Sequence, residues 1–227
     1  MAGRLCLATV SFLLVAAPVW AAEITPSARE ILDGVRARQA QQQIDLHGQL
    51  RQEATVVPFQ LVEEGPRVRY IFSDPPETLQ LQIGESESRL ELVTKSGVEK
   101  VMPAEFDQKV RGTDVSYEDL ALKFLYWPNA QILGVDDIRT RKCWKLQLRA
   151  PNQRSQYGSI VLWVDKGGGA LMRMEGYNPA GQMIRRFEVV AAQKIDNRWF
   201  LKRMRIEQFQ PGTKHVLSRT YLEIKDK

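Results

Sequence analysis

What most constrains this chain is a period-two alternation of side chains, repeated in short runs and punctuated by turn residues. Val57, Phe59 and Leu61 alternate with Val56, Pro58 and Gln60, and Val68, Tyr70 and Phe72 with Arg67, Arg69 and Ile71. Leu79, Leu81 and Ile83 follow in the same phase, then Leu90 and Leu92, and later Trp144, Leu146 and Leu148. Alternation of this kind gives antiparallel strands with one dry and one wet face. Glu64-Gly65-Pro66, Ser73 to Pro76, Gly84 to Ser88 and Ser96-Gly97 supply the intervening turns. Pro58 lacks the donor that a central strand needs, so an edge or a bulge is expected there. Ile160 to Val164 is continuously apolar and reads as a strand buried on both sides. Leu171 to Tyr177, Phe187 to Ala192, Trp199 to Phe209 and Val216 to Ile224 follow, with turns at Asp165 to Gly169, Asn178 to Gly181, Asp196-Asn197 and Pro211-Gly212. The count is roughly ten or eleven strands joined mostly by tight hairpins. Such a mainly β meander curls into an incomplete barrel or a bent open sheet.

One segment breaks the pattern. From Arg111 to Trp127 the spacing turns helical, with a capping box at Ser116 to Asp119 and a stop at Pro128. Tyr117, Leu120 and Phe124 recur along one side, and Leu122, Leu125, Tyr126 and Trp127 extend the apolar surface round most of the helix. A helix apolar nearly all round is buried on several sides, so it is expected to cover the dry face of the sheet as a lid. A second capping box, Ser27 to Glu30, opens an N-terminal helix whose Ile31, Leu32 and Val35 share a narrow apolar face, expected to dock at the sheet's edge or mouth.

Residues 1–21 read as a cleaved export signal: Arg4 precedes an apolar stretch ending near Pro18, with cleavage after Ala21 or Ala22. A retained anchor is the alternative, although the stretch is barely long enough to span a bilayer. Cys6 sits too early to be a lipid-modified cysteine, which leaves Cys143 alone in residues 22–227, expected to form one soluble domain. The chain carries 32 basic and 27 acidic residues, net +5. The excess is spread thinly, which argues against a nucleic-acid partner. Catalytic and metal motifs are not apparent. His47 and His215 have no ligand spacing, Ser159 lacks the second glycine of a nucleophile elbow, and Gly167 to Gly169 reads as a hairpin turn. Helix capping accounts for Asp114, Glu118 and Asp119 more simply than a cation site does. The expectation is a protein without catalytic residues, cofactor or metal, and monomeric.

This combination resembles the bacterial outer-membrane lipoprotein-sorting family, the LolA-like periplasmic carriers, in a divergent branch. The likeness rests on GTDVSYEDL (112–120), CWKLQL (143–148), YGSIVLWVD (157–165), LMRMEGY (171–177) and NRWFLKRMRIE (197–207). The resemblance implies an incomplete β-barrel closed by a helical lid, carrying lipoprotein acyl chains from an inner-membrane release complex to an outer-membrane acceptor. It also implies an arginine on an early strand that bonds to the lid, for which Arg51, Arg67 and Arg69 all qualify. The residues expected to line the cavity and lid are Phe59, Leu61, Tyr70, Phe72, Leu79, Leu81, Leu90, Leu92, Tyr117, Leu120, Phe124, Trp127, Trp144, Leu146, Leu148, Met172 and Met174. They are expected to enclose apolar room. The alternative is an envelope scaffold of the same fold with a filled core.

Overall fold

The computed structural model describes residues 25–195 and 198–225. The expected export signal and the turn at Asp196-Asn197 lie outside these residues. Among the described residues, thirteen strands form one antiparallel sheet. They are β1 (Gln43–Gln52), β2 (Thr55–Glu64), β3 (Arg67–Ser73), β4 (Pro76–Ile83), β5 (Ser88–Thr94), β6 (Gly97–Lys100), β7 (Asn129–Ile138), β8 (Arg141–Arg149), β9 (Ser159–Asp165), β10 (Leu171–Tyr177), β11 (Met183–Ile195), β12 (Arg198–Phe209) and β13 (Val216–Ile224). Their order across the sheet is β6-β5-β4-β3-β2-β1-β13-β12-β11-β10-β9-β8-β7. The chain therefore lays down two meanders, and β1 pairs with β13 to join them, Gly48 opposite Ile224 and Arg51 opposite Tyr221. The sheet is open, with β6 and β7 as its two edges.

The alternation predicts ten of these strands plainly. The three it underplays each have a local reason. β1 carries His47 and Gly48 in its middle, and Gly48 is required because the Phe59 ring would lie 2.7 Å from an added Cβ. β6 is four residues long and exposed throughout. In β7 the register shifts between Ile132 and Gly134, so Leu133 is an extra residue that upsets the two-residue period. Pro58 lies in β2, an interior strand, yet the β2–β3 ladder runs only from Glu64–Arg67 to Gln60–Ile71. Pro58 is thus in an overhang paired with β1 alone, opposite Gln49, a local edge that tolerates a missing donor.

One face of the sheet, the inner face, carries two apolar clusters. The first collects Leu46, Phe59, Val68, Phe72, Leu79, Leu81, Leu90, Ile206 and Ile224 from β1–β5, β12 and β13. The second collects Leu146, Leu148, Ile160, Leu162, Val164 and Met174 from β8–β10. Helix α1 (Ala28–Gln39) has the expected capping box and lays Ile31, Leu32 and Val35 on the second cluster, near edge strand β7. A smaller cluster of Ile138, Cys143, Val161 and Trp163 backs β9 from the outer face, so β9 is buried on both sides.

Candidate functional site: a lid across the inner face

The segment 101–128 leaves one edge of the sheet at β6 and returns at the other edge, β7, crossing the inner face between them. It is less helical than its sequence suggests. Tight 3-10 turns at Pro103–Glu105 and Val110–Gly112 precede α2 (Tyr117–Ala121), and a further 3-10 turn covers Lys123–Tyr126. Ser116 and Asp119 form the capping box that starts α2. Leu122 then ends it by turning left-handed, at φ 50° and ψ 25°. That conformation costs a side-chain-bearing residue about 1–2 kcal/mol. Leu122 packs against both inner-face clusters, and this packing offsets the strain.

The lid is held down by a buried polar cluster. Arg185 lies on β11 in phase with Phe187, so it points to the inner face, where it is only 5 % exposed. Its Nη1 donates to Asp119 Oδ2 at 2.5 Å and to the Asp114 carbonyl at 2.6 Å. The Tyr157 hydroxyl donates to Asp119 Oδ1 at 2.5 Å, and the Ser116 amide and hydroxyl donate to Oδ2, each at 2.8 Å. Burial first, then the Asp119 carboxylate, pushes the Tyr157 phenol well above its usual range, which keeps its proton in place as donor. Burial works against the charge on Arg185, but Asp119 and then Tyr157 outweigh it and the guanidinium is held more firmly protonated. The Asp114 amide donates to Gln52 Oε1 at 2.8 Å, so β1 joins the same network. Further along, Ser88 Oγ donates to the Ala121 carbonyl at 2.5 Å and the Tyr126 hydroxyl to the Gly84 carbonyl at 2.8 Å.

None of the early-strand arginines has this role. Arg51 pairs with Glu223 at 2.9 Å and Arg69 with Glu64 at 2.7 Å. Arg51, Arg67 and Arg69 fall in the outward phase of their strands, alternating with Leu50, Val68 and Tyr70. The lid's arginine is instead on a late strand. At the lid's second 3-10 turn, Arg111 also pairs with Glu77 and donates to the Pro75 carbonyl at 2.8 Å.

The expected cavity residues are largely brought together. Phe59, Phe72, Leu79, Leu81 and Leu90 are buried in the first cluster, with Leu61, Tyr70, Leu92, Tyr117 and Leu120 packed against it. Phe124, Leu146, Leu148 and Met174 belong to the second, with Trp127 and Trp144 against it. Met172 is the exception. A register shift between Leu171 and Arg173 places it on the outer face beside Trp163. Where apolar room was expected, the inner face is occupied by the lid's own side chains: Leu79, Leu81, Leu90, Leu146 and Leu148 are each 1 % exposed or less. Two cavities lie away from the buried centre of the inner face. A cleft of about 280 Å³ opens at the lid's rim, and a groove of about 400 Å³ runs over the outer face around Trp163 and Tyr177. Among the buried polar residues that the sequence reading did not single out, Arg185 and Glu63 matter most here. Both could have been found as charged residues in the dry phase of an otherwise apolar strand. Burial pushes the Glu63 carboxyl up to about 7, opposed by the Gln39 side-chain amide that donates to it at 3.1 Å.

Among the described residues no helix is long and apolar enough to cross a membrane. No curated protein matches the sequence. Solved structures do. An outer membrane lipoprotein-sorting protein domain from Vibrio parahaemolyticus superposes with a TM-score of 0.67 at 16% identity, covering 88% of this chain and 90% of that one. A DUF1329 family protein from Desulfovibrio piger gives 0.63 at 16% identity, covering 88% and 92%. A LolA superfamily protein from Nitrosomonas europaea gives 0.60 at 15% identity, covering 89% and 93%. At this identity the likeness establishes the fold alone, a LolA-like open antiparallel sheet. Residues 94–227 match the profile of a family described as "Uncharacterized protein". That match takes in the lid and all of the second meander, and the chain belongs to this family, on a LolA-like fold.

Proposed function

We propose that this protein is a soluble periplasmic carrier that takes up lipoprotein acyl chains, or another lipid, against its inner face and delivers them toward the outer membrane. The observation that carries the reading is a sheet face bearing two apolar clusters, covered by a lid that is broken at Leu122 where they meet and is pinned by a buried polar network at Arg185. A lid of this kind has one closed position and can be released without unfolding a strand. Catalysis has no part in the reading.

The magnitudes decide how release must work. Burying about ten methylenes of an acyl chain contributes roughly 8 kcal/mol. Separating a buried ion pair such as Arg185–Asp119 costs about 3–5 kcal/mol. Returning Tyr117, Leu120, Phe124 and Trp127 to water would cost about 1.5–3 kcal/mol each, more than the remainder. Uptake is therefore favourable only if those side chains repack around the cargo instead of becoming exposed. Mass spectrometry of gently purified protein should find co-purifying lipid. Phe124→Glu should weaken displacement of a fluorescent lipid, and undiminished binding would count against the lid's role.

The second reading is an envelope scaffold that works by surface contacts. The solid packing of Leu79, Leu81, Leu146 and Leu148 favours it. Protein that purifies empty and is indifferent to every lipid offered would support the scaffold over the carrier.

A further inference from the structure

The cleft at the lid's rim lies beside the break at Leu122. Its walls come from three places: the lid itself, the turn between β4 and β5, and the loop between β8 and β9. Phe106 on one side belongs to the first apolar cluster, whereas Trp127 and Tyr126 on the other pack against the second. The cleft therefore opens onto the seam between the two clusters, where Leu122 touches both. Its charged groups are unequal. Glu87 pairs with Arg89 at 2.8 Å, and Glu118 accepts from the Gln156 amide at 3.1 Å. Burial raises the Glu118 carboxyl above its ordinary value and so favours its neutral form. Lys123 and Arg154, by contrast, have no ion pair among the described residues. Lys123 rests its ammonium over the Phe106 ring at 4.1 Å, and Arg154 stands exposed on its loop. Burial first, and then nearby Lys100, holds Lys123 below the usual ammonium range against the opposing pull of Glu87 and Glu118, and an incoming anion would add to that pull.

We infer that this cleft holds the anionic head of an amphiphile, with Lys123 and Arg154 as its cationic contacts and Phe106 and Trp127 flanking the first methylenes. The tail then enters at the Leu122 seam. This assignment rests on the carrier reading and adds a headgroup preference to it. Phosphate and carboxylate heads share the required chemistry, since both accept charge-assisted hydrogen bonds from an ammonium and a guanidinium.

The test uses the exported chain with a fluorescent fatty acyl probe, displaced by a lysophosphatidic acid or by a monoacylglycerol of the same chain length. Lysophosphatidic acid should displace the probe at about tenfold lower concentration, one charge-assisted contact's worth of discrimination. Arg154→Gln and Lys123→Gln should each shrink that preference and leave monoacylglycerol unchanged. Because Lys123 also touches Phe106, the exposed Arg154 is the decisive position should the Lys123 variant fold poorly. Equal displacement by both lipids, or a preference that survives Arg154→Gln, overturns the headgroup assignment and leaves the carrier reading standing. Competition by inorganic phosphate as strong as by lysophosphatidic acid also overturns it, in favour of a free-anion site. A chain that binds no acyl probe brings down the carrier reading and this assignment together.

Discussion

Between Val110 and Ala121 the lid adds to its apolar packing a buried, charged network with Arg185, Tyr157 and Gln52, whereas from Lys123 to Trp127 apolar packing is joined only by bonds at carbonyls, Arg36 to Leu125 and Tyr126 to Gly84. Phe124 and Leu125 press on α1 and on β8–β10. The two halves meet at Leu122. Polar bonds specify a single geometry and fail together once one partner moves. Apolar packing tolerates exchange, since a hydrocarbon chain can take the place of a side chain at similar free energy. The first half thus sets where the closed lid sits, and under the proposed carrier function the second half is the part that a lipid would replace.

Four measurements would break or sharpen that contrast. Arg185→Ala leaves Asp119 charged and buried, so denaturant unfolding should show a loss of about 3–5 kcal/mol. Replacing both charges, Arg185→Met with Asp119→Asn, keeps an acceptor for Tyr157 and Ser116 and should lose less, and equal losses would mean that the ion pair is not the fastening. In the apolar half, Leu125→Ala should cost about 2–5 kcal/mol by unfolding, and much of that should be recovered when a long-chain amphiphile is added. No such recovery is expected for Arg185→Ala.

Glu63 provides a control away from both halves. Its folded carboxyl titrates at about 7 against an ordinary 4.5, so the folded protein binds this proton more tightly than the unfolded chain does. Stability should be greatest below 4.5 from this source, fall as pH rises from 4.5 to about 7, and stay level above that. The slope is at most about 1.4 kcal/mol per pH unit. Glu63→Gln should abolish this component of the pH profile while leaving the Arg185→Ala loss unchanged. The smallest effect belongs to Ser88→Ala, which removes the bond to the Ala121 carbonyl and should cost about 1 kcal/mol by the same unfolding assay.

The sheet was readable because each strand repeats one rule, and departures from the rule have local causes. Leu133 inserts an extra residue, Pro58 occupies an overhang, and Met172 changes face at a register shift. The lid's position, its capping box and its apolar residues were readable in the same way. Its break was not. No glycine or proline marks Leu122, and the left-handed turn there arises from contacts with two clusters distant in sequence. The polar fastening was half readable. Asp119 was assigned its capping role correctly, but its second role depends on Arg185 and Tyr157 converging from β11 and the loop before β9. Tyr157 reaches Asp119 because its ring lies over Gly176, where an added Cβ would come within 2.2 Å of it. A pairing between a tyrosine and a glycine nineteen positions apart leaves no periodic trace.

The lid's course from β6 to β7 has a mechanical consequence. A flap hinged at one end can swing fully clear, but a strap buckled to both rims can only bow outward. Its slack is the length the broken helix gains by straightening. Spreading the rims would pull the strap taut, and loosening it would let them spring apart. On the proposed carrier reading, admission of cargo and the curvature of the sheet would be geared to each other, and the girth of what can enter would be set by a fixed length of chain.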